Sequence, residues 1–260
     1  MDIVVPPAIP LNHYSPREPC VACKGTLLYH RGLNEHAGER KRATEAFGSL
    51  IQSEEESYFG LHTAGLGIWT ARLYYYLSKG IIPVIASDGV ILPFERFINY
   101  RAFTMKILSS TYTSPKVSVT LEYLTSVANL TTTYATKGPS ALESAGQVST
   151  AEAVLRMQRN AKRVSKWLDW WSEDAFQNPF TLLVFELYNF VEKESFKEPA
   201  DGKWIGKSEY FNVETAFQPI FISHNTILSL ISEMKKEIIF AAVAIPVLVI
   251  SLFQMRKLAN

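Results

Sequence analysis

The chain has 260 residues, of which 47% are hydrophobic and 20% are charged, a composition typical of a globular protein with one large or two small domains. Its formal net charge of +1 and its lack of long runs of one sign give no reason to expect nucleic acid or another polyanion as a partner.

Cys20 and Cys23 are the two cysteines of the chain and form a single Cys-x-x-Cys pair. A structural zinc site needs four ligands, and His13 and His30 lie nearby without the spacing that would complete one. The pair is expected either to form a local disulfide in an oxidising lumen or to stay as two free thiols. No metal site is predicted.

The first predicted elements are a short strand and a helix. Leu27–His30 is an apolar run of strand length that leads to Arg31, and Ala37–Ile51 follows as a helix carrying Arg40. Each arginine could reach a phosphate group at the edge of a sheet or could be a solvated surface cation. For Arg40, which lies within a charged run at 39–42, we favour the surface role.

The centre of the chain has the pattern of a β-loop-α-β unit. Tyr58–Leu61 is a short apolar strand, and a loop with Gly65 leads to Thr70, whose hydroxyl is suited to cap a helix over Ala71–Lys79. Ile81–Ala86 is a continuous apolar run, typical of a strand covered on both faces. In a parallel sheet, such a loop and helix N-terminus lie at the carboxyl edge of the strands, where an anionic ligand is favoured.

A second loop, Ser87–Val90, leaves the next strand at the same edge and carries Asp88. Beyond it, Arg96–Tyr100 has the pattern of a short helix and Phe103–Leu108 that of a strand. Glu95 could bind a ligand hydroxyl from this second loop, or it could be a first-turn carboxylate stabilised by the helix dipole.

Ser109–Ser149 is rich in Ser and Thr and shows no sustained helical or strand period, which predicts a long loop or insertion. Ser149 and Glu152 then have capping-box spacing, which predicts the start of a helix. The apolar residues of that helix recur at steps of three and four and predict one packing stripe: Val154, Met157, Ala161, Val164, Leu168 and Trp171.

Trp167, Trp170 and Trp171 are interpreted as core and contact residues rather than as a platform for a sugar. A further apolar helix or strand is predicted over Thr181–Phe190. A polar linker is predicted over Lys193–Glu209.

Ile238–Met255 is uncharged and strongly apolar, with two basic residues on either side. Its length is near the lower limit for a membrane span, and Pro246 at its centre is better tolerated in a membrane helix than in a soluble one. We predict a C-terminal transmembrane helix, with a buried final helix as the alternative. The basic flanks do not decide its orientation.

Three motifs of the central unit resemble the C-terminal half of the exostosin-type glycosyltransferases. These are the loop glycine Gly65 followed by Thr-x-Arg-Leu-Tyr at 70–74, the run Gly-Ile-Ile-Pro-Val-Ile-Ala-Ser-Asp at 80–88, and Leu-Pro-Phe-Glu at 92–95. Family members carry Ser-Pro-Arg-Leu-Phe-Glu-Ala, Gly-Cys-Ile-Pro-Val-Ile-Ile-Ser-Asp and Leu-Pro-Phe-Glu in the same register. Arg31 also matches an aromatic-Arg-Gly at the start of this lobe.

This resemblance implies an α/β fold with a doubly wound parallel sheet, the C-terminal lobe of a GT-B glycosyltransferase. It implies a hexosyl- or pentosyltransferase that moves a sugar from a nucleotide-sugar donor, typically a UDP-sugar, to a glycan or glycoprotein in the Golgi or another endomembrane. It implies no tightly bound cofactor, and it leaves open a divalent metal and a homo- or hetero-oligomer.

The resemblance also implies where the donor binds. The diphosphate would lie over the 65–70 loop, and Arg72 would neutralise charge as UDP leaves, whereas without the resemblance a surface cation would be the favoured role. His62 and His224 are interpreted as packing residues, so the catalytic residues are unknown. The donor-binding residues proposed are Arg31, Gly65, Thr70, Arg72, Tyr75, Asp88 and Glu95.

Tyr75 is the main departure from the family, which has a carboxylate at this position that accepts hydrogen bonds from ribose hydroxyls. A phenol cannot replace a bidentate charged acceptor, so donor affinity should fall. Three further features differ from the family. The 52–57 interval is shorter, the insertion is longer, and the acceptor lobe that the family has before this point is expected to be missing. The alternative is therefore a catalytically inactive remnant acting as a membrane-attached interaction protein; a third is an unrelated α/β nucleotide-binding protein.

The predicted organisation follows from these assignments. It comprises a nucleotide-sugar-binding core at 1–108, a Ser/Thr-rich insertion or loop at 109–149, closing helices at 150–192, a polar linker at 193–237 and the transmembrane helix at 238–255.

Overall fold

The computed structural model describes the parts of the chain that build an α/β core. The described residues are 5–7, 26–29, 45, 57–63, 71–86, 90–108, 116–174, 177–191 and 217–221.

The core contains a parallel sheet with the strand order β1-β2-β3-β4. Its strands are β1 (Thr26–Tyr29), β2 (Ser57–Thr63), β3 (Ile82–Ala86) and the two-residue β4 (Met105–Lys106). All three pairings are parallel. The apolar runs predicted as strands from the sequence are confirmed, and the fully buried β2 and β3 explain why these runs do not alternate with polar residues.

Helix α1 (Arg72–Ser78) connects β2 to β3 and confirms the predicted β-loop-α-β unit. It ends in a Schellman motif, in which Gly80 N–H donates to Leu77 O and Ile81 N–H to Tyr76 O. Gly80 has φ +66°, a conformation that glycine adopts without strain, so its position as the helix stop is also confirmed.

Two further helices, α2 (Lys116–Lys137) and α3 (Ala145–Trp167), pack on each other. On the face of the sheet opposite α1, α2 and the N-terminal half of α3 bring Leu124, Val127 and Val154 into one core cluster with residues of β2, β3 and β4. The C-terminal half of α3 packs against α1 instead. The other cluster joins α1, the 90–103 segment, the C-terminal half of α3 and helix α4 (Pro179–Val191). The sheet is therefore covered on both faces.

The prediction of a loop over Ser109–Ser149 is wrong for α2. Threonine is a poor helix former in isolation, and Thr125, Thr131 and Thr136 each donate a hydrogen bond to the carbonyl oxygen four residues earlier, which does not by itself favour a helix. Leu124, Val127, Ala128 and Thr131 form a buried stripe at helical spacing. Packing against the sheet thus overrides low intrinsic propensity.

Helix α3 begins five residues earlier than predicted. Ser144 is its N-cap and accepts a hydrogen bond from Gln147 N–H at 3.3 Å, while Gln147 Oε1 accepts one from Glu143 N–H. Ser149 therefore lies inside the helix, and the predicted cap is wrong. The apolar stripe is confirmed from Val154 to Leu168, but Trp171 lies beyond the helix and is 44% exposed.

The segment between β3 and β4 differs from prediction in its local structure. The short helix expected over Arg96–Tyr100 is a series of turns followed by a 3₁₀ turn at Tyr100–Ala102. The expected strand over Phe103–Leu108 shortens to β4. The helix-or-strand prediction over Thr181–Phe190 resolves to helix α4.

A separate stretch of chain, residues 217–221, packs against this segment and α3. Ile98 and Phe221 form an antiparallel bridge, and Asn99 N–H donates to Ile220 O at 2.7 Å. Within the ranges given above, no helix is long and apolar enough to cross a membrane. The predicted span at Ile238–Met255, the Lys193–Glu209 linker, and Cys20 and Cys23 lie outside the described residues.

Candidate functional site

The carboxyl edge of the parallel sheet is the natural place for a ligand, because the strand-to-helix loops and their polar side chains gather there. Strand β2 ends at Thr63, which pairs with Ala86 at the end of β3. Four of the predicted donor-binding residues, Arg31, Gly65, Thr70 and Asp88, lie outside the described residues. The other three are Arg72, Tyr75 and Glu95.

Arg72 is the first residue of α1, the next described helix after β2 in the chain. The side chain is half-buried, and Nη1 of its guanidinium is fully enclosed. A simple solvated cation does not have an enclosed guanidinium nitrogen, so the surface interpretation of Arg72 loses support. Helix α1 is seven residues long and its N-cap, Ala71, has no side-chain hydrogen bond. Among the described residues at this end of α1, Arg72 supplies the positive charge that could attract an anion.

Tyr75 has a packing role on α1. Its ring meets the ring of Tyr76 edge-on at 6.2 Å, and Lys79 Nζ lies over it at 5.2 Å from the centroid. A lysine one turn later on the same helix face suits the electron-rich face of the phenol. The position at which the family carries a carboxylate is thus filled by an aromatic–cation pair.

Glu95 closes a tight turn after β3. Glu95 N–H donates to Leu92 O at 3.3 Å, and in return Leu92 N–H donates to Glu95 Oε2 at 3.0 Å. Pro93 and Phe94 are the central residues, and Phe94 has φ +54°, where a type II turn normally has glycine. Because Phe94 is buried, its packing and the Glu95 carboxylate hold the backbone in this strained conformation.

The Glu95 carboxylate itself is accessible, since the residue is exposed. Partial loss of hydration raises the pKa of Glu95 above its ordinary value, while the Leu92 hydrogen bond and the charges of Lys106 and Arg96 act in the opposite direction. An exposed carboxylate with one oxygen fixed by the backbone can accept a ligand hydroxyl in a defined orientation.

Tyr100 connects this turn to α1. Its Oη donates to Pro93 O at 2.9 Å, and burial raises the pKa of Tyr100 well above its ordinary value, with Tyr74 and Glu95 adding to the effect. Tyr74 of α1 and Phe94 of the turn pack in the same core cluster. The helix that carries Arg72 and the turn that carries Glu95 are therefore brought together.

A row of side chains across the sheet adds two residues that the sequence did not single out as ligands. His62, Ile85 and Lys106 are register partners on β2, β3 and β4, so they project from the same face. Ile85 packs with α1, which identifies that face as the Arg72 side. His62 and Lys106 are both buried. A lysine inside the apolar run that forms β4 was the available signal, because buried lysines are exceptional.

Together these groups can bind an anion and a hydroxyl. Arg72 and Lys106 supply positive charge on the α1 side, and Glu95 supplies an accessible carboxylate at the same edge of the sheet. The arrangement does not assign a catalytic base.

Neither a scan against protein-family models nor a search of curated proteins finds a match to this chain. The class defined by fold and site is an α/β protein with a polar carboxyl edge on a parallel sheet.

Proposed function

We propose that this chain is the nucleotide-sugar-binding lobe of an exostosin-like glycosyltransferase, with a UDP-sugar as donor and a glycan or glycoprotein as acceptor. The observation that carries the proposal is that Arg72 and Glu95, both in the motifs resembling the family, lie on elements that follow neighbouring parallel strands and pack together. In the proposed fold, this lobe is one doubly wound half of a GT-B arrangement.

Each of these residues has a role that its chemistry supports. The guanidinium of Arg72 binds the donor diphosphate through charge-assisted hydrogen bonds and offsets the charge that develops as UDP leaves. Glu95 accepts a hydrogen bond from a hydroxyl of the ribose or of the sugar. A sugar hydroxyl on the acceptor then attacks the anomeric carbon, and the base for that step is not assigned.

Titration calorimetry with UDP on the full chain tests this proposal. We expect wild-type protein to bind UDP and Arg72→Ala to lose about tenfold or more in affinity, because a charge-assisted contact is worth about 1.5–3 kcal/mol. Lys137→Ala is the matched control, since Lys137 is exposed at the end of α2 and distant in sequence from the site motifs. Equal affinities of wild-type and Arg72→Ala protein would refute the proposed site.

A second function is supported by the packing of Tyr75. Tyr75 stands where the family has its ribose-binding carboxylate, and its ring packs with Lys79 and Tyr76. This replacement favours a non-catalytic protein that acts as a membrane-attached interaction partner. Incubation with a panel of UDP-sugars separates the two functions. UDP binding without release of free sugar or transfer to any glycan acceptor would support the second one.

The apolar segment near the C-terminus bears on where the protein is located. We propose attachment to a Golgi or other endomembrane through Ile238–Met255, in keeping with the family's site of action. Oligomerisation with itself or with a related chain is compatible with this arrangement and is measured by the mass of the detergent-solubilised protein.

A further inference from the structure

Helix α3 carries a strongly basic face that the proposed donor site does not use. Arg156, Arg159, Arg163 and Lys166 are all exposed and follow one another at steps of three, four and three residues. At 100° per residue they fall within an arc of about 80°. The opposite side of the helix is the buried stripe that packs in the core. This set of four residues is referred to below as the basic face.

The basic face concentrates charge that the whole-chain composition conceals. Helix α3 contains five basic residues and one acidic residue, Glu152, whereas the entire chain has a formal net charge of only +1. Glu152 lies one turn before Arg156, and its Oε1 accepts a hydrogen bond from Tyr134 Oη at 2.9 Å. The acidic residue is thus engaged at one end, and the rest of the face is uniformly positive.

Exposed aromatic side chains accompany these charges. Phe217 is 44% exposed, and Arg156 Cζ lies over its ring at 5.2 Å from the centroid. Trp171, four residues beyond the end of α3, is also 44% exposed. Aromatic residues beside basic ones are typical of surfaces that lie at the interface between a bilayer and water.

The proposed membrane segment is also close in sequence to this part of the molecule. Residues 217–221 are fixed beside α3, where the rings of Trp167 and Phe221 meet edge-on at 4.9 Å. Sixteen residues separate Phe221 from the apolar run that begins at Ile238. At about 3.3–3.6 Å per residue, the start of that run can lie at most roughly 60 Å from Phe221.

We propose that the basic face of α3 docks on the surface of a bilayer that contains anionic phospholipids. The positive charges would contact lipid phosphate and carboxylate groups, and Phe217 and Trp171 would lie at headgroup level. Each basic residue near such a surface strengthens binding about fivefold, so four of them form a substantial docking site. This surface is independent of the UDP site and does not require the proposed transferase activity.

The test compares binding of the full chain to vesicles of phosphatidylcholine with and without phosphatidylserine. Binding to pure phosphatidylcholine reports the contribution of apolar segments, and the increase caused by phosphatidylserine reports the basic face. We expect Arg163→Glu to reduce that increase about fivefold or more while leaving binding to pure phosphatidylcholine unchanged. Lys137→Glu is the matched control, because it makes the same change in charge at an exposed position outside the basic face.

If charge reversal disturbs folding, the neutral variant Arg163→Gln provides a second measurement. It should also reduce the gain in vesicle binding that phosphatidylserine causes. Equal losses for Arg163→Glu and Lys137→Glu would overturn the proposal, since the effect would then follow net charge alone. Binding that does not respond to phosphatidylserine would also overturn it. The proposal would also be overturned if an RNA oligonucleotide bound the protein more tightly than the anionic vesicles do and this binding depended on Arg163.

Discussion

The ring of Tyr76 occupies the space that a side chain at Gly60 would need. A Cβ added to Gly60 would lie 2.7–2.8 Å from three ring carbons, while Tyr76 Oη donates a hydrogen bond to Leu61 O at 3.0 Å. Tyr76 is fully buried, so its ring cannot swing aside. This contact locks α1 against β2 and sets the position of the Arg72 end of the helix relative to the sheet.

Gly60→Ala is therefore expected to destabilise the protein by about 1–3 kcal/mol, the usual cost of overpacking a rigid core. Chemical denaturation followed by circular dichroism measures the change in the free energy of unfolding. Gly146→Ala is the control, because the nearest atom to a Cβ there is at 3.9 Å and the position is helical. That variant should be neutral or more stable by about 0.4–1 kcal/mol. A Gly60→Ala protein as stable as wild type would contradict the close contact.

The start of α3 gives a second prediction. Ser144→Ala removes the side-chain acceptor for Gln147 N–H and should lower the free energy of unfolding by about 0.5–2 kcal/mol. Ser149→Ala, at the position that the sequence pattern suggested as the cap, lies inside the helix and should be neutral or slightly stabilising. Equilibrium unfolding of both variants distinguishes the two starting points. The reverse order of effects would place the cap at Ser149.

Glu186 on α4 makes stability depend on pH. Its Oε2 is buried without a hydrogen-bond partner among the described residues, and burial raises the pKa of Glu186 above 4.5, against a smaller opposing effect of Arg96. Between 4.5 and that raised pKa, the folded protein binds a proton that the unfolded chain does not. Stability should therefore fall as the pH rises through this window.

Glu186→Gln removes this titration and should raise the free energy of unfolding at neutral pH but not below pH 4.5. Unfolding of both proteins across that range measures the difference. Glu122→Gln serves as the control, since it makes the same change of charge at an exposed carboxylate. If Glu186→Gln raised the free energy of unfolding equally at neutral pH and below pH 4.5, Glu186 would act through packing and not through its proton.

Local sequence rules predicted the sheet and its first connection because they act within a few residues. The apolar run at Ile82–Ala86 and the stop at Gly80 depend on neighbouring backbone groups, and both are found where expected. For α3, Ser144 with Gln147 and Ser149 with Glu152 both fit the capping-box spacing. The sequence pattern alone could not choose between Ser144 and Ser149 as the N-cap, because the choice depends on hydrogen bonds that form at the helix end in the folded protein.

The elements that were missed depend on contacts between distant segments. Thr131 and its neighbours in α2 form a helix because they pack on the sheet and on α3. In the candidate site, Arg72 and Glu95 were visible as motif residues. Lys106 was not, because its placement in one row with His62 follows from strand register, which a single sequence does not reveal.

Replacement of Tyr75 tests the proposed donor site most directly. UDP titrations of wild-type, Tyr75→Glu and Tyr75→Phe protein isolate the effect of a carboxylate three residues after Arg72. We expect Tyr75→Glu to bind UDP about tenfold or more tightly than wild type, since a charged acceptor gains about 1.5–3 kcal/mol from ribose hydroxyls, and we expect Tyr75→Phe to be unchanged. An affinity of Tyr75→Glu equal to or weaker than that of wild type would contradict a UDP site on α1.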